Sequence, residues 1–391
     1  MGINSRYEYL KEIRLRYKYA TRAQKKNILD EFCDVCGYNR KYAIRLINLE
    51  NKSKQKKALK RGRKKLYQDP LIAQVLTDIW VATNLACAKR LKAMIPLFLP
   101  HYKKYILSKE IKDKLLTISP ATIDRLMAPS RARFAIKGLA TTKPGSIIKK
   151  QIPIKTNQWN ETIPGFIEAD TVAHCGSTVA GMFVYSLNCV DIASGWTEQR
   201  AVWGKGEQGV VKAIKDIEKS VPFTIKGFDC DNGSEFLNWH LLRHLTERKR
   251  PVQFTRARAY HKNDNAHIEN KNWTHIRQYL GYQRFEQQNL VEKLNELYTS
   301  EWNDFHNYFS ASVKLINKTR VGSKINKTYD QPKTPVQRLL ESEHISNQTK
   351  EFLSQKFSQL DPFQLQEQMA AKIKLIIKNV IKYNEKNLDQ K

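Results

Sequence analysis

Three carboxylates in separate segments of this 391-residue chain stand where folding could bring them together around a divalent cation. Asp170 ends a strand predicted over "IPGFIEADTV", and Asp231 closely follows a strand predicted over "FTIKGFD". Functional side chains gather at the carboxyl ends of strands in α/β sheets, so these two acids meet if their strands are neighbours. Glu269 is expected on a helix that begins at Asp264 or Asn265, among apolar neighbours that face the sheet. A bound metal explains an acid in that position, and an ion pair with a nearby Lys or Arg is the alternative.

The stretch around Asp231, "GFDCDNGSEF", holds two further acids with different expected roles. Asp229 shares the strand face of Asp231 and is a reserve ligand, because side chains alternate with a period of two. Glu235 is expected in the first turn of the next helix, where an acid suits the helix dipole. Asp191 ends another strand at a turn and is expected to stay away from the metal. His174 either orients DNA or a metal-bound water or lies on the surface.

The acids require a sheet to position them, and the apolar patterns predict one. Three successive strands, "IPGFIEADTV", "AGMFVYSLNCVDI" and "GWTEQRAVW", precede a helix at 207–219 and a fourth strand. This order predicts a mixed sheet with helices around it. Further along, Leu290–Tyr308 is expected to be a packed helix and 319–329 small strands. The chain from Ser346 is expected to be a basic helical tail that self-associates or clamps DNA.

The charge balance favours a polyanionic partner. The chain has 68 Lys and Arg against 38 Asp and Glu, which gives a formal net charge of +30. Such a field attracts nucleic acid, although charge alone also fits a protein that is basic for solubility. The sequence lacks an apolar run of about 18 residues, so no spanning helix is predicted. Cys33 and Cys36 are expected to be small core residues rather than zinc ligands.

The N-terminal segment predicts a helix-turn-helix. Thr21 and Gln24 form a capping box, and the helix that they open should end near Gly37. A second helix then presents its basic side chains outward, where they could enter a major groove. The alternative is an ordinary helical hairpin with a solvated basic face. The basic side chains predicted to contact DNA are Arg40, Lys41 and Arg45.

Two further segments are predicted to contact DNA before the sheet begins. The run "KSKQKKALKRGRKK" contains no acid, and its Arg61 and Arg63 resemble the centre of an AT-hook, although the proline expected next is lysine. We therefore expect a basic linker that contacts phosphates. The helical pattern from Tyr67 onward ends in a second helix-turn-helix candidate, "LLTISPATIDRLM", which exposes Arg125.

Cations also surround the predicted Glu269 helix. Beside a metal site for phosphate chemistry they favour DNA contacts, whereas a solvated charged face is the alternative. The predicted contacts are Lys262, His267, Lys271 and His275.

The segments around the three acids resemble the integrase catalytic core of bacterial insertion-sequence transposases and retroviral integrases. The similarity rests on "IEADTVAHCG" with Asp170, "DCDNGSEF" with Asp231 and "NDNAHIENKNWTHIR" with Glu269, which lies 38 residues after Asp231. The segment "YDQPKTPVQRLLES" is also similar to one that follows this core in insertion-sequence transposases. The resemblance covers residues 164–342.

This resemblance implies a ribonuclease H-like fold with a mixed five-stranded sheet flanked by helices. It also implies two Mg²⁺ ions, with Mn²⁺ as a substitute, in which Asp170 bridges both ions while Asp231 and Glu269 hold one each. The implied reaction hydrolyses DNA at a transposon end and joins the freed 3′-OH to a target strand. The implied partners are double-stranded DNA and further copies of the chain assembled on it. The implied location is the nucleoid in the bacterial cytoplasm, without membrane contact.

The resulting expectation is a multidomain protein. Its predicted parts are a helix-turn-helix domain (1–51), a basic linker (52–66), a second helical DNA-binding module (67–130), a connector (131–160), the catalytic core (161–312), a small β-rich segment (313–345) and a helical basic tail (346–391). Two alternatives stay open: a catalytically inactive DNA-binding regulator derived from a transposase, and a nuclease of the same fold that cuts without joining.

Overall fold

The computed structural model describes residues 2–49, 66–132, 161–257 and 266–388. Its chain forms two compact units, Met1–Leu66 and Tyr67–Lys391. The basic linker predicted over 52–66 lies almost entirely outside the described residues. The predicted boundaries inside the second unit stay predictions.

The first unit is a three-helix cluster composed of α1 (Ile3–Tyr19), α2 (Arg22–Cys36) and α3 (Arg40–Asn48). Its core contains Leu10, Ile13, Leu29, Phe32, Ala43 and Ile47. The predicted capping box opens α2, and Gly37 ends it with a φ of 66°. Helices commonly end at a residue with left-handed backbone angles, a conformation that glycine adopts without strain. The three helices confirm the helical prediction, whereas insertion into a DNA groove stays a prediction.

The second unit begins with four helices, which are α4 (Pro70–Ala82), α5 (Ala88–Phe98), α6 (Lys109–Thr117) and α7 (Pro120–Ala132). Asp69 caps α4 by accepting a hydrogen bond from the Leu71 N–H at 2.9 Å. These helices share one apolar core with the last helices of the chain, through residues such as Ile72 and Trp302. The helical segment is therefore packed as part of the second unit.

A mixed five-stranded sheet forms the centre of this unit. Its strands are β1 (Phe166–Ala173), β2 (Val184–Asp191), β3 (Thr197–Trp203), β4 (Gly227–Cys230) and β5 (Gln253–Arg256). The order across the sheet is β3-β2-β1-β4-β5. β1 pairs antiparallel with β2 and parallel with β4. Helices α8 (Glu207–Ser220) and α9 (Trp239–Thr246) connect β3 to β4 and β4 to β5. This arrangement confirms the predicted sheet with flanking helices.

The two faces of the sheet pack against different cores. Ile167 and Ala169 of β1 belong to the core that α8 and α9 cover. Val172, on the alternate face, belongs to the larger core shared with the terminal helices. Side chains at 168, 170 and 172 therefore face those helices.

The remaining elements follow β5 in the chain. They are α10 (Ala266–Lys271), a π-helical turn (Asn272–Arg277), α11 (Gln278–Leu280), α12 (Leu290–Leu297), two further π-helical turns (Tyr298–Trp302 and Phe305–Phe309), the hairpin of β6 (Leu315–Val321) and β7 (Lys324–Tyr329), α13 (Pro335–Glu341), α14 (Asn347–Gln359) and α15 (Pro362–Leu388). The hairpin and the helical tail agree with the predicted C-terminal elements. Ile376 and Val380 of α15 are buried in the common core. Among the described helices, none combines the length and apolar character that a membrane crossing requires.

Candidate active site

Strands β1 and β4 are parallel neighbours, and their pairing ends at Ala169 and Cys230. Asp170 and Asp231 follow directly, although β1 continues to Ala173 beside β2, so Asp170 does not end its strand as predicted. The register pairs Glu168 of β1 with Asp229 of β4. Asp170 lies two residues beyond Glu168, and Asp231 two residues beyond Asp229. The two strands are therefore neighbours, which is the condition for Asp170 and Asp231 to meet.

Asp170 and Asp231 influence each other electrostatically. Burial raises the pKa of Asp170 to about 7, and the charge of Asp231 adds to this rise. The Thr171 N–H donates to Asp170 Oδ1 at 2.7 Å and opposes the shift. Burial also raises the pKa of Asp231, whose Oδ1 accepts from the Gly233 N–H at 2.8 Å. A cation between the two carboxylates would favour their ionised forms.

A series of hydrogen-bonded amide side chains holds Oδ2 of Asp170. Asn272 Nδ2 donates to Asp170 Oδ2 at 2.7 Å. Asn188 Nδ2 donates to Asn272 Oδ1 at 2.8 Å, and Gln199 Nε2 donates to Asn188 Oδ1 at 2.8 Å. Asn272 lies three positions after Glu269, so one hydrogen bond ties the Glu269 helix to the strand that carries Asp170. Sequence reasoning missed this chain, because its members are far apart in sequence.

Glu235 is a buried acid beside this pair rather than the helix-start residue that we expected. Helix α9 begins only at Trp239, with Asn238 as its cap, so Glu235 precedes the helix. Its side chain is 1% exposed, accepts from the Thr171 hydroxyl at 2.8 Å and pairs with Lys205 at 2.7 Å. The charge of Glu235 also contributes to the raised pKa of Asp170.

Glycine at position 233 makes room for the carboxylates. A Cβ placed there would stand 2.5 Å from Glu235 Oε2 and 2.9 Å from Asp231 Oδ1. Both distances are far below a normal contact, so any larger residue would displace the two acids. Gly233, in the stretch "GFDCDNGSEF", therefore allows the close approach of the two acids.

Glu168 and Asp229 form a second, deeper pair of acids. They are 1% and 3% exposed. Burial raises the pKa of Glu168 to about 8, and the charges of Asp229 and Glu269 add to this rise. Glu168 Oε2 accepts from the Ile268 N–H at 3.1 Å, and Asp229 accepts from the Thr255 hydroxyl. We did not single out Glu168 from the sequence, although the strand alternation places it on the same face as Asp170.

Glu269 lies in the first turn of α10 and is exposed, so the expected apolar surroundings are absent. The N–H groups of His267 and Ile268 contact Glu168 of β1, and the Asn272 side chain contacts Asp170. The preceding segment with Lys262, Asp264 and Asn265 lies outside the described residues. Across the described ranges, no three His, Cys, Asp or Glu side chains are grouped closely enough to hold a metal ion. The structure therefore brings the two aspartates together, and a place for Glu269 beside them stays a prediction.

Two other residues weighed from the sequence are structural. Asp191 is fully buried, and its carboxylate accepts from the N–H groups of Gly165 and Ser194 at 2.7 Å each. His174 is also buried, stacks on Phe285 with ring centroids 4.5 Å apart and shares a hydrogen bond with a serine hydroxyl at 2.8 Å. It therefore stands in the core rather than on the surface.

The predicted DNA-contact residues fall into three groups. The exposed ones are Arg40, Lys41, Arg45 and Arg125, of which Arg40 pairs with Asp30. Near α10, His267 is partly exposed, whereas Lys271 and His275 are only 8% and 2% exposed. Arg61, Arg63 and Lys262 lie outside the described residues.

The mixed sheet and the acids along its β1–β4 seam define an α/β unit with a cluster of buried carboxylates. No protein-family model matches the chain. The chain is 36% identical over 347 residues to the uncharacterized protein y4rM of Sinorhizobium fredii (strain NBRC 101917 / NGR234), which covers 86% of this chain and 96% of that protein. It belongs to the same family as y4rM.

Solved structures of retroviral integrases are also similar. The catalytic core domain of BIV integrase is 16% identical with a TM-score of 0.30, and the match covers 46% of this chain and 96% of that one. The simian T-cell lymphotropic virus intasome in complex with PP2A regulatory subunit B56 gamma is 12% identical with a TM-score of 0.31, covering 54% of this chain and 66% of that one.

Proposed function

We propose that this protein is a transposase of a mobile insertion element, which cuts DNA at the element's ends and joins the freed 3′ ends to a target. The observation that carries the proposal is the pair Asp170 and Asp231, which directly follow the paired residues of two neighbouring parallel strands. The integrase-like motifs around Asp170, Asp231 and Glu269 supply the reaction class.

The donor set fits magnesium. Asp170, Asp231 and Glu269 offer carboxylate oxygens, which are the hard ligands that Mg²⁺ prefers, and Mn²⁺ accepts the same set. Mg²⁺ held by these residues would stabilise charge on the attacking and leaving oxygens of a phosphodiester. The raised pKa of Asp170 supports this assignment, because a nearby cation would keep the carboxylate ionised at neutral pH.

The chain's own groups prepare this site. The Thr171 N–H and the Asn272 amide each hold one oxygen of Asp170, and the Gly233 N–H holds Asp231. Glu168 accepts from the Ile268 N–H in the first turn of α10 and so orients the helix that carries Glu269. These contacts fix the two aspartates before substrate binds, which reduces the reorganisation needed for reaction.

The proposed substrate is double-stranded DNA, bound by several copies of the chain. The net charge of +30 attracts phosphates, and the first unit exposes Arg40, Lys41 and Arg45 on α3. We propose that this unit recognises the element's terminal repeats while the second unit performs the chemistry.

A strand-transfer assay tests the proposal. Purified protein is incubated with Mg²⁺, a labelled duplex carrying the inverted repeats that flank the gene, and a plasmid target. We expect joined products, abolished by Asp231→Asn and retained by the matched exposed control Asp113→Asn. Cleavage without joining identifies a nuclease instead. Specific repeat binding without cleavage identifies a regulator, and equal activity of Asp231→Asn refutes the assigned mechanism.

A further inference from the structure

A basic cavity of about 850 Å³ lies on the side of α10 away from β1. Its walls come from α5, the turn after β2, α10 with its π-helical turn, and the β6–β7 hairpin. The cationic and imidazole side chains among its described lining residues are Arg90, His267, Lys271, His275, Lys314, Lys318 and Lys327. Asp191 is the one carboxylate among those lining residues, and Gly165 and Ser194 already engage it.

Two cations in this cavity lack a carboxylate partner among the described residues. Lys271 is 8% exposed, and its Nζ contacts only His275 Nε2, at 3.1 Å. Arg90 donates from Nε to the Ala311 carbonyl at 2.6 Å, which leaves its two terminal guanidinium nitrogens available. A buried cation without a counter-charge is costly, so an anionic ligand would offset that cost.

The cavity is separate from the acidic site, although the same helix borders both. Residues 267, 270, 271, 274 and 275 line the cavity. Ile268 and Asn272 instead contact Glu168 and Asp170. This division follows from helical spacing, because positions three and four apart share a face.

We propose that this cavity binds a phosphate-class oxyanion, held by Lys271 and Arg90. Guanidinium and ammonium groups form charge-assisted hydrogen bonds with phosphate oxygens, and Ser312 adds a hydroxyl group to the wall. The volume lies within the range of small-molecule sites and exceeds that of one phosphate, so the bound group belongs to free phosphate or to a larger phosphate ester. The inference does not depend on the proposed reaction.

Thermal unfolding of the full chain with inorganic pyrophosphate as probe tests the site, at constant ionic strength. A ligand that binds the folded state raises the melting temperature with its concentration. We expect a saturable rise in the unaltered protein. Lys271→Met and Arg90→Met should each weaken binding roughly tenfold, about 1.4 kcal/mol. The exposed matched control Lys212→Met should bind normally.

A second readout separates binding from damage to the fold. Without ligand, Lys271→Met should melt at or above the temperature of the unaltered protein, because it replaces a buried amine that has no carboxylate partner among the described residues with an apolar side chain of similar length. A non-saturable rise, or an equal rise in all four proteins, overturns the proposal. Competition with a labelled duplex then identifies the source: displacement of pyrophosphate by DNA in the unaltered protein assigns a DNA phosphate, and simultaneous binding assigns a free phosphate ester.

Discussion

Asn272 connects the helix of Glu269 to Asp170, so its removal should disturb both the fold and the proposed chemistry. Asn272→Ala removes the donor to Asp170 Oδ2 and the acceptor of Asn188 Nδ2, at 2.7 and 2.8 Å. The alanine leaves the buried Asn188 with an unsatisfied donor, and Asp170 keeps only its Thr171 N–H contact.

The expected loss of unfolding free energy follows from these two hydrogen bonds. A hydrogen bond to a charged group contributes about 1.5–3 kcal/mol and a neutral one about 1 kcal/mol. Discounting for the partial exposure of Asp170, we expect Asn272→Ala to lower the unfolding free energy by about 2–3 kcal/mol. Strand transfer should fall much further than stability alone explains, because the position of Asp170 changes.

Urea unfolding of Asn272→Ala beside Asn270→Ala measures the first effect. Asn270 is exposed on the same helix and its side chain makes no described hydrogen bond, so its loss should cost less than about 0.5 kcal/mol. The strand-transfer assay, run well below both melting temperatures, measures the second effect. Equal stability of the two variants, or full activity of Asn272→Ala, refutes the assigned role.

Three other predictions concern buried groups of the second unit. Glu168→Ala should destabilise by about 1–3 kcal/mol because the Ile268 N–H loses its acceptor, whereas Glu168→Gln keeps an acceptor and should unfold near the native midpoint in urea. Arg200→Met should cost about 3–5 kcal/mol in urea unfolding, since Glu198, at 3.1 Å, would remain as a buried unpaired acid, and a loss below 1 kcal/mol contradicts this. The pKa of His174 is lowered to about 3 by burial, so its stabilising contribution is complete above the unfolded value of about 6.5 and falls as pH decreases towards 3. Chemical denaturation of His174→Phe between pH 6.5 and 5 should therefore show a mean slope smaller by about 1.1 kcal/mol per pH unit than that of the unaltered protein, and parallel slopes contradict the burial of a neutral imidazole.

Local signals in the sequence predicted helix starts and the edge of the sheet well. The capping box at Thr21 and the proline at 120 mark observed helix starts, because caps and N1 prolines act within one turn. The placement of Asp170 beside Asp231 followed from strand ends, which needed only the order of elements and not the side-chain positions.

The polar partners of these acids could not be predicted, because they depend on strand register and helix phase. Glu235 looked like a helix-start acid, yet the chain takes another turn before α9 and buries it against Thr171 and Lys205. Lys271 looked like a surface cation, and only the approach of the β6–β7 hairpin and Arg90 encloses it. Neither arrangement produces a periodic pattern of residue types in the sequence.

The helix formed by α10 and its π-helical turn borders both the acidic site and the cavity. Asn272 contacts β1, and the adjacent Lys271 lines the cavity. Because the adjacent residues have different partners, a substitution that acts only through local contacts should change one site and leave the other intact. Asn272→Ala should therefore retain the pyrophosphate response, and Lys271→Met should retain the position of Asp170. If either variant impairs both readouts, the helix has moved as a body, and the two sites are coupled through its position rather than built independently on its faces.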